Sequence, residues 1–308
     1  MGTLRKILTI FFALLLVFSL GTLGFIVYQY MSSSAQYKDI SNRALNSELL
    51  EAQASQGSDY DPLMAYIDWN ALRDINPDTV GWVYIPDSNV NYPIVHASDN
   101  SKYLHASYAD SVQGLVWHGA PFLDKDNAPD FTDDNNIVYA HNMQDGSMFA
   151  DVTKFQNQEY YDSHTEIYVY TPGMNYLYKP YAVNQIPGSD PLVIDNFASD
   201  AEMHEYALDK VSASNVSDTD ASSQIEKSSS YLALVTCVNS LSLDERVVLF
   251  ASLEKSAVPT RVADATLSGE GDVVSSGEGD VASSREGDVG KIEGFETVTE
   301  PSIESSVS

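Results

Sequence analysis

The sequence predicts a mainly β domain, a closed barrel or a sandwich. Short apolar runs rich in Val, Ile, Leu and Tyr recur from about Val80 to Leu253, divided by turns rich in Asp, Asn, Ser and Gly. Strands this short and this frequent suit barrels and sandwiches. Between them only one segment carries a clear helical stripe. A third observation sets the domain apart: one uninterrupted apolar segment precedes it and an acidic repeat follows it.

The chain opens with Arg5 and Lys6, then residues 7–28 run apolar without a charge. That is about the 20 residues a membrane-spanning helix needs. Tyr28 and Tyr30 suit the far interface, and the positive end stays in the cytoplasm, so the bulk of the chain would face outward. A cleaved signal peptide would have a shorter apolar core and a small-residue cleavage site. Ser32-Ser33-Ser34-Ala35 is the only candidate for one, and the length of the span favours an uncleaved anchor. The expected organisation is a cytoplasmic N-terminus (1–6), a transmembrane anchor (7–28), a polar stalk or linker (29–57), one folded domain (58–255) and an acidic disordered tail (256–308). The domain is about 200 residues, enough for a single core.

Within the domain, Asp61 as N-cap and Pro62 at the first helical position predict a helix carrying Leu63, Ile67 and Leu72 as far as Ile75. Asn76-Pro77-Asp78 stops it. Strands are expected at 81–86, 90–95, 114–117, 136–140, 166–170, 176–184, 231–236 and 246–253. A helix capped by Asp200 is expected to run to Val211, with Met203, Ala207, Leu208 and Val211 as its apolar stripe. The Ser/Asp-rich stretch 212–230 reads as an exposed loop. After Lys255, Gly269-Glu270-Gly271-Asp272-Val273 recurs at Gly277 and, altered, at Arg285. Such a composition has too little apolar surface to offset its ordering entropy. A calcium-binding reading of this repeat lacks the double glycine such arrays use.

The formal net charge is −28, from 44 acidic and 16 basic residues. Nucleic-acid binding needs a basic footprint, so that class is set aside. The chain has one cysteine, so no intramolecular disulfide is possible. In an exported domain cysteines usually pair, which leaves Cys237 as a dimer link, a core residue or a nucleophile. It ends the apolar run 231–236 and precedes the turn residues Asn239, Ser240 and Ser242; Arg246 then opens the next run. Two neighbouring strands so arranged put thiol and guanidinium on one rim. The bland alternative is a buried cysteine acting as a small hydrophobe, the commonest fate of a free thiol.

A nucleophilic cysteine needs a base or ion-pair partner. Of six histidines, His141 alone sits at the end of an expected strand, after Asn136-Ile137-Val138-Tyr139-Ala140 and before the turn Asn142-Met143-Gln144-Asp145-Gly146. A turn-capping histidine is the competing reading. The order His then Cys excludes papain-like enzymes, and the caspase frame is missing. Neither Cys-x-x-Cys nor His-Glu-x-x-His occurs, so redox exchange and zinc hydrolysis lack their residues. No cofactor or metal is expected.

With these residues in view, the chain resembles the class B sortases, membrane-anchored cysteine transpeptidases of Gram-positive bacteria. Ala233-Leu234-Val235-Thr236-Cys237 corresponds to that family's Thr-Leu-x-Thr-Cys strand, Tyr139-Ala140-His141-Asn142 to its Tyr-Gly-His-Asn element, and Arg246-Val247-Val248-Leu249 to Arg-Leu-Val-Val. Asn76-Pro77-Asp78-Thr79-Val80-Gly81-Trp82, Tyr92-Pro93-Ile94-Val95, Asp99-Asn100-Ser101-Lys102-Tyr103-Leu104 and Phe122-Leu123-Asp124 are also similar to class B, so the likeness runs from about Asp61 to Leu253. Ala233 and Ala140 depart from the family's Thr and Gly but stay small; Val235 brings no hydroxyl to a position where a small residue is common.

The resemblance implies a β-barrel of about eight strands, N-terminal helices, and a helix in the long loop before the Cys strand. It implies Cys237 as nucleophile, His141 as acid and base, and Arg246 at the carbonyl oxygen. Tyr139, Asn100 and Thr236 would help to position substrate. The implied substrates are exported proteins bearing a C-terminal sorting motif, and the implied acceptor is a peptidoglycan amine, for cell-wall anchoring, or a pilin lysine. A non-catalytic surface or adhesin-like domain on a membrane stalk is the reading from another class, and it requires an unreactive Cys237.

Overall fold

The computed structural model describes residues 2–44, 61–109, 118–190, 192, 196–239 and 242–259. The expected strand at 114–117, residues 45–57 of the expected stalk and the repeats of the tail lie outside them.

Helix α1 spans Gly2–Ala44. Its stretch Gly2–Tyr28 is long and apolar enough to cross a membrane, and its large side chains, Phe11, Leu14 and Phe18 among them, are exposed. Thr9, Ser19 and Thr22 donate their hydroxyls back to the carbonyls of Arg5, Leu15 and Phe18, which hides polar groups from an apolar surrounding. The helix does not end where a stalk was expected. It continues, and Tyr37, Ile40 and Ala44 are buried in the main core. Their i, i+3, i+7 spacing is a helical stripe, thinned in the sequence by intervening Lys38, Asp39 and Ser41.

The single helix expected at 61–75 is two elements. Asp61 does cap, accepting from Leu63 N, but only a 3-10 turn, Pro62–Met64. Helix α2 is Trp69–Ile75, started by Asp68, whose side chain accepts from the amides of Asn70 and Ala71. The extended link between them buries Ala65 and Ile67.

Among the described residues nine strands follow: β1 Thr79–Tyr84, β2 Asn91–His96, β3 Phe122–Leu123, β4 Asn135–Tyr139, β5 Ile167–Tyr170, β6 Asn175–Pro187, β7 Val216–Ser217, β8 Tyr231–Asn239 and β9 Ser242–Ala257. Their order is β5-β1-β2-β3-β4-β8-β9-β6, and a β5–β6 pairing closes it into an eight-stranded barrel; β7 lies outside on β6. The pairs β2–β3 and β4–β8 are parallel, and the other pairs are antiparallel. Closure leaves no open edge around the ring.

The run 231–235 is apolar throughout because both faces of β8 are covered. Leu232 and Leu234 join the main core with Trp82, Val138 and Leu249. Tyr231, Ala233 and Val235 join a second core with Ile137, Val248, Phe250 and the buried residues of two helices between β6 and β8. Helix α5, Asp200–Ser212, is capped by Ser199 rather than by the expected Asp200, with Met203 and Ala207 buried. Leu208, expected in the stripe, is 40% exposed. The expected loop 212–230 holds β7 and helix α6, Ala221–Lys227, which buries Ala221 and Ile225. Two further short helices among the described residues are α3, Lys102–His105, before β3, and α4, Gln158–Ser163, before β5.

Candidate active site

Strand pairing brings three of the expected residues to one rim. Cys237 on β8 lies directly opposite Arg246 on β9. On the other side, β4 runs parallel to β8 with Tyr139 opposite Val235, and Ala140 N donates to Val235 O at 3.1 Å. Two residues beyond that pair come His141, just past the end of β4, and Cys237, still on β8. Alternation gives the face: Val235 and Val248 belong to the outer, helix-covered core, so Cys237, two residues beyond Val235, and Arg246, two residues before Val248, turn the same way.

The rim is held by side-chain and main-chain bonds. Asn142 Nδ2 donates to the carbonyls of Cys237 and Val238 at 3.1 and 3.0 Å, and Phe149 N donates to His141 O at 2.9 Å. His141 Nε2 lies 2.7 Å from Leu104 O. A carbonyl only accepts, so Nε2 carries the hydrogen and Nδ1 is left to exchange a proton. Gly119 abuts the ring: a Cβ there would stand 3.0 Å from His141 Cδ2 and 2.6 Å from Tyr103 O, and its φ is +59°. Only glycine suits that place.

The thiol of Cys237 is half-buried. Burial pushes it above its ordinary value, and the Arg246 charge opposes that in part. The thiolate is the reactive form, so at neutral pH it is the minor one.

The residues expected to position substrate separate. Tyr139 Oη and Asn100 Nδ2 both donate to Asp124 Oδ2, at 3.0 and 2.9 Å. Asp124 is fully buried and also accepts from Asp126 N at 3.1 Å. Asn100 Oδ1 in turn accepts from Lys125 N at 2.8 Å, and Phe122 stacks on Tyr139 with centroids 5.2 Å apart. Tyr139 therefore shares the Cys237 rim and is tied to Asn100 through one carboxylate. Thr236 does not reach the site. It is 2% exposed, alternation turns it toward the barrel interior, and its hydroxyl has no partner among the described residues.

Leu104, Gly119, Asn142 and Asp124 carry roles that the sequence reading did not assign. Asn142 and Asp124 stood in quoted motifs, and the glycine before Ala120-Pro121 was a visible turn signal. A backbone carbonyl such as that of Leu104 leaves no mark in a sequence. Among the described residues, no group of three or more His, Cys, Asp or Glu could hold a metal ion.

The chain is similar to several known proteins. A family model, the Sortase domain, matches residues 83–254. Sortase B of Listeria monocytogenes is 34% identical over 146 residues, covering 47% of this chain and 57% of that protein. The chain thus matches little more than half the length of that relative. Sortase B of Staphylococcus aureus is 23% identical over 188 residues, 61% of this chain and 75% of that protein. The structure of sortase B from B. anthracis in complex with AAEK1 superposes with a TM-score of 0.59 at 24% identity, over 74% of this chain and 99% of that one. With its family model matching more than half of the residues, and its similar proteins being of the B type, the chain belongs to the sortase family as a class B member.

Proposed function

We propose that the chain is a membrane-anchored cysteine transpeptidase that cleaves a C-terminal sorting motif of exported proteins and passes the acyl group to an amine of peptidoglycan. The observation that supports this best is the direct pairing of Cys237 with Arg246 on one face, with His141 at the same rim, next to the Asn142 that binds the Cys237 carbonyl. In the minor state in which the Cys237 proton has passed to His141, the thiolate attacks the carbonyl carbon of the scissile peptide bond. Arg246 donates to the oxygen as it gains charge, a task suited to a planar, permanently charged group. The C–N bond breaks as His141 gives a proton to the leaving amine, and a thioester remains. An incoming amine attacks the thioester, His141 takes its proton, the C–S bond breaks and the thiolate returns.

The apolar stretch of α1 supports the anchor, with Arg5 and Lys6 on the cytoplasmic side and the barrel outside. The test is incubation of the chain with a library of sorting-motif peptides and a panel of amines. Cleavage with transfer to a peptidoglycan peptide is the expected result. Transfer to a pilin lysine alone would reassign the acceptor, and no cleavage of any peptide would support the adhesin-like reading.

A further inference from the structure

We infer that Tyr37, on the helix continuous with the apolar span, is a positioning residue for His141, acting through Gly119. This rests on the reading of His141 as the acid–base residue. Tyr37 Oη donates to Gly119 O at 2.8 Å, in a buried setting. Burial holds the phenol protonated, far above its ordinary value, so it stays a donor. The bond is long-range, joining the helix that leaves the membrane segment to the segment 118–120, which lies against the imidazole.

Gly119 has no slack. Its missing Cβ would meet Tyr103 O at 2.6 Å and the His141 ring at 3.0 Å (Cδ2) and 3.3 Å (Nε2). Ala120 N donates to Tyr103 O at 3.0 Å, and the next carbonyl, Leu104 O, holds His141 Nε2. Segments 103–104 and 119–120 are therefore bonded to each other, and both touch the ring. Tyr37 also packs edge-on against Tyr92, with centroids 5.3 Å apart and planes at 90°. Tyr92 Oη accepts from Met148 N at 3.0 Å, and Met148 pairs with Asn142 beside His141. The aromatic pair thus braces both sides of the histidine, with Tyr37 holding 118–120 and Tyr92 holding the turn 142–148. Helix α1 therefore helps to hold the surroundings of His141 as well as carrying the apolar span.

The test uses the full chain in detergent micelles, labelled at the histidine Cε1 positions, with the His141 signal assigned by its loss in His141→Ala. Tyr37→Phe keeps the ring and removes only the hydroxyl. It should shift the His141 resonance, leave His164 and His204 unmoved, and lower kcat for peptide transfer about tenfold with little change in KM, as a small misplacement of a reacting group does. Ile40→Val, which loosens the same helix without touching the bond, should leave His141 where it is. An unmoved His141 in Tyr37→Phe, or an equal shift in Ile40→Val, would overturn the inference. The resonance needs no substrate, so the two readings fail separately. A His141 that responds in a chain that cleaves no sorting-motif peptide supports the coupling and defeats the transpeptidase; an active chain with an unresponsive His141 does the reverse.

Discussion

Cys237 and Arg246 are direct cross-strand partners at the rim where β8 turns into β9. Their side chains leave the pair on one face, and the guanidinium charge bears on the thiol. Directly opposite residues in an antiparallel pair stand about 4.5–5.5 Å apart, so one substrate carbonyl can meet both.

That relationship makes Arg246→Lys informative. If Arg246 were only a strand-edge charge, lysine would be close to neutral, since exposed ion pairs are worth under about 1 kcal/mol. A donor aimed at a carbonyl oxygen needs the planar fork, and losing one such donor costs about 10²–10³ in rate. Arg246→Lys should lower kcat/KM by at least about 10² on that scale, with little change in melting temperature. The lysine keeps the positive charge, so alkylation of Cys237 by a small reagent should proceed nearly as in the parent. Transpeptidation at the parent rate would remove Arg246 from the chemistry.

The thiol should titrate high. Burial raises Cys237 above its ordinary value and Arg246 only partly offsets this. The alkylation rate should therefore be low at neutral pH and still climbing as pH passes the thiol's ordinary value. The sign for stability follows from the same shift: the buried neutral thiol stabilises the fold below that ordinary value, and this contribution fades as pH rises through the higher folded value. An iodoacetamide rate that levels off below pH 8 would contradict the assignment of burial as the dominant effect.

The membrane-proximal half of α1 should matter for folding. Deleting residues 1–28 leaves Tyr37, Ile40 and Ala44 in the core, whereas deleting 1–57 removes them. Burying one large apolar side chain is worth about 1.5–3 kcal/mol, and each kcal/mol moves the melting temperature of a domain this size by about 2–4 °C. The longer deletion should melt at least about 6 °C below the shorter one on that scale. Equal melting temperatures would mean that this half of the helix only spans distance.

Most of the barrel was legible because its strands are apolar on both faces or alternate cleanly, as 231–236 and 246–253 do. The Cys237–Arg246 pairing was also legible, since the connection between their strands is short. The parallel pairing of β4 with β8 is set by contacts between residues nearly a hundred positions apart, so sequence pattern alone puts His141 at a strand end and no more. Two-residue strands such as Phe122–Leu123 and Val216–Ser217 have no period to detect. Helix α6 was hidden because two buried residues, Ala221 and Ile225, stand among Ser and Asp, which favour turns. Asp68 was overlooked because Asp61-Pro62 gave a stronger start signal seven residues earlier.

The central claim is an acyl group carried on Cys237. The direct measurement is the intact mass of the chain after mixing with a cleavable sorting-motif peptide, with no amine added. The account predicts a single adduct equal to the N-terminal peptide fragment, localised to Cys237 by digestion, released by hydroxylamine and missing from Cys237→Ala. Cleavage without any adduct on Cys237, or cleavage that survives in Cys237→Ala, would contradict it.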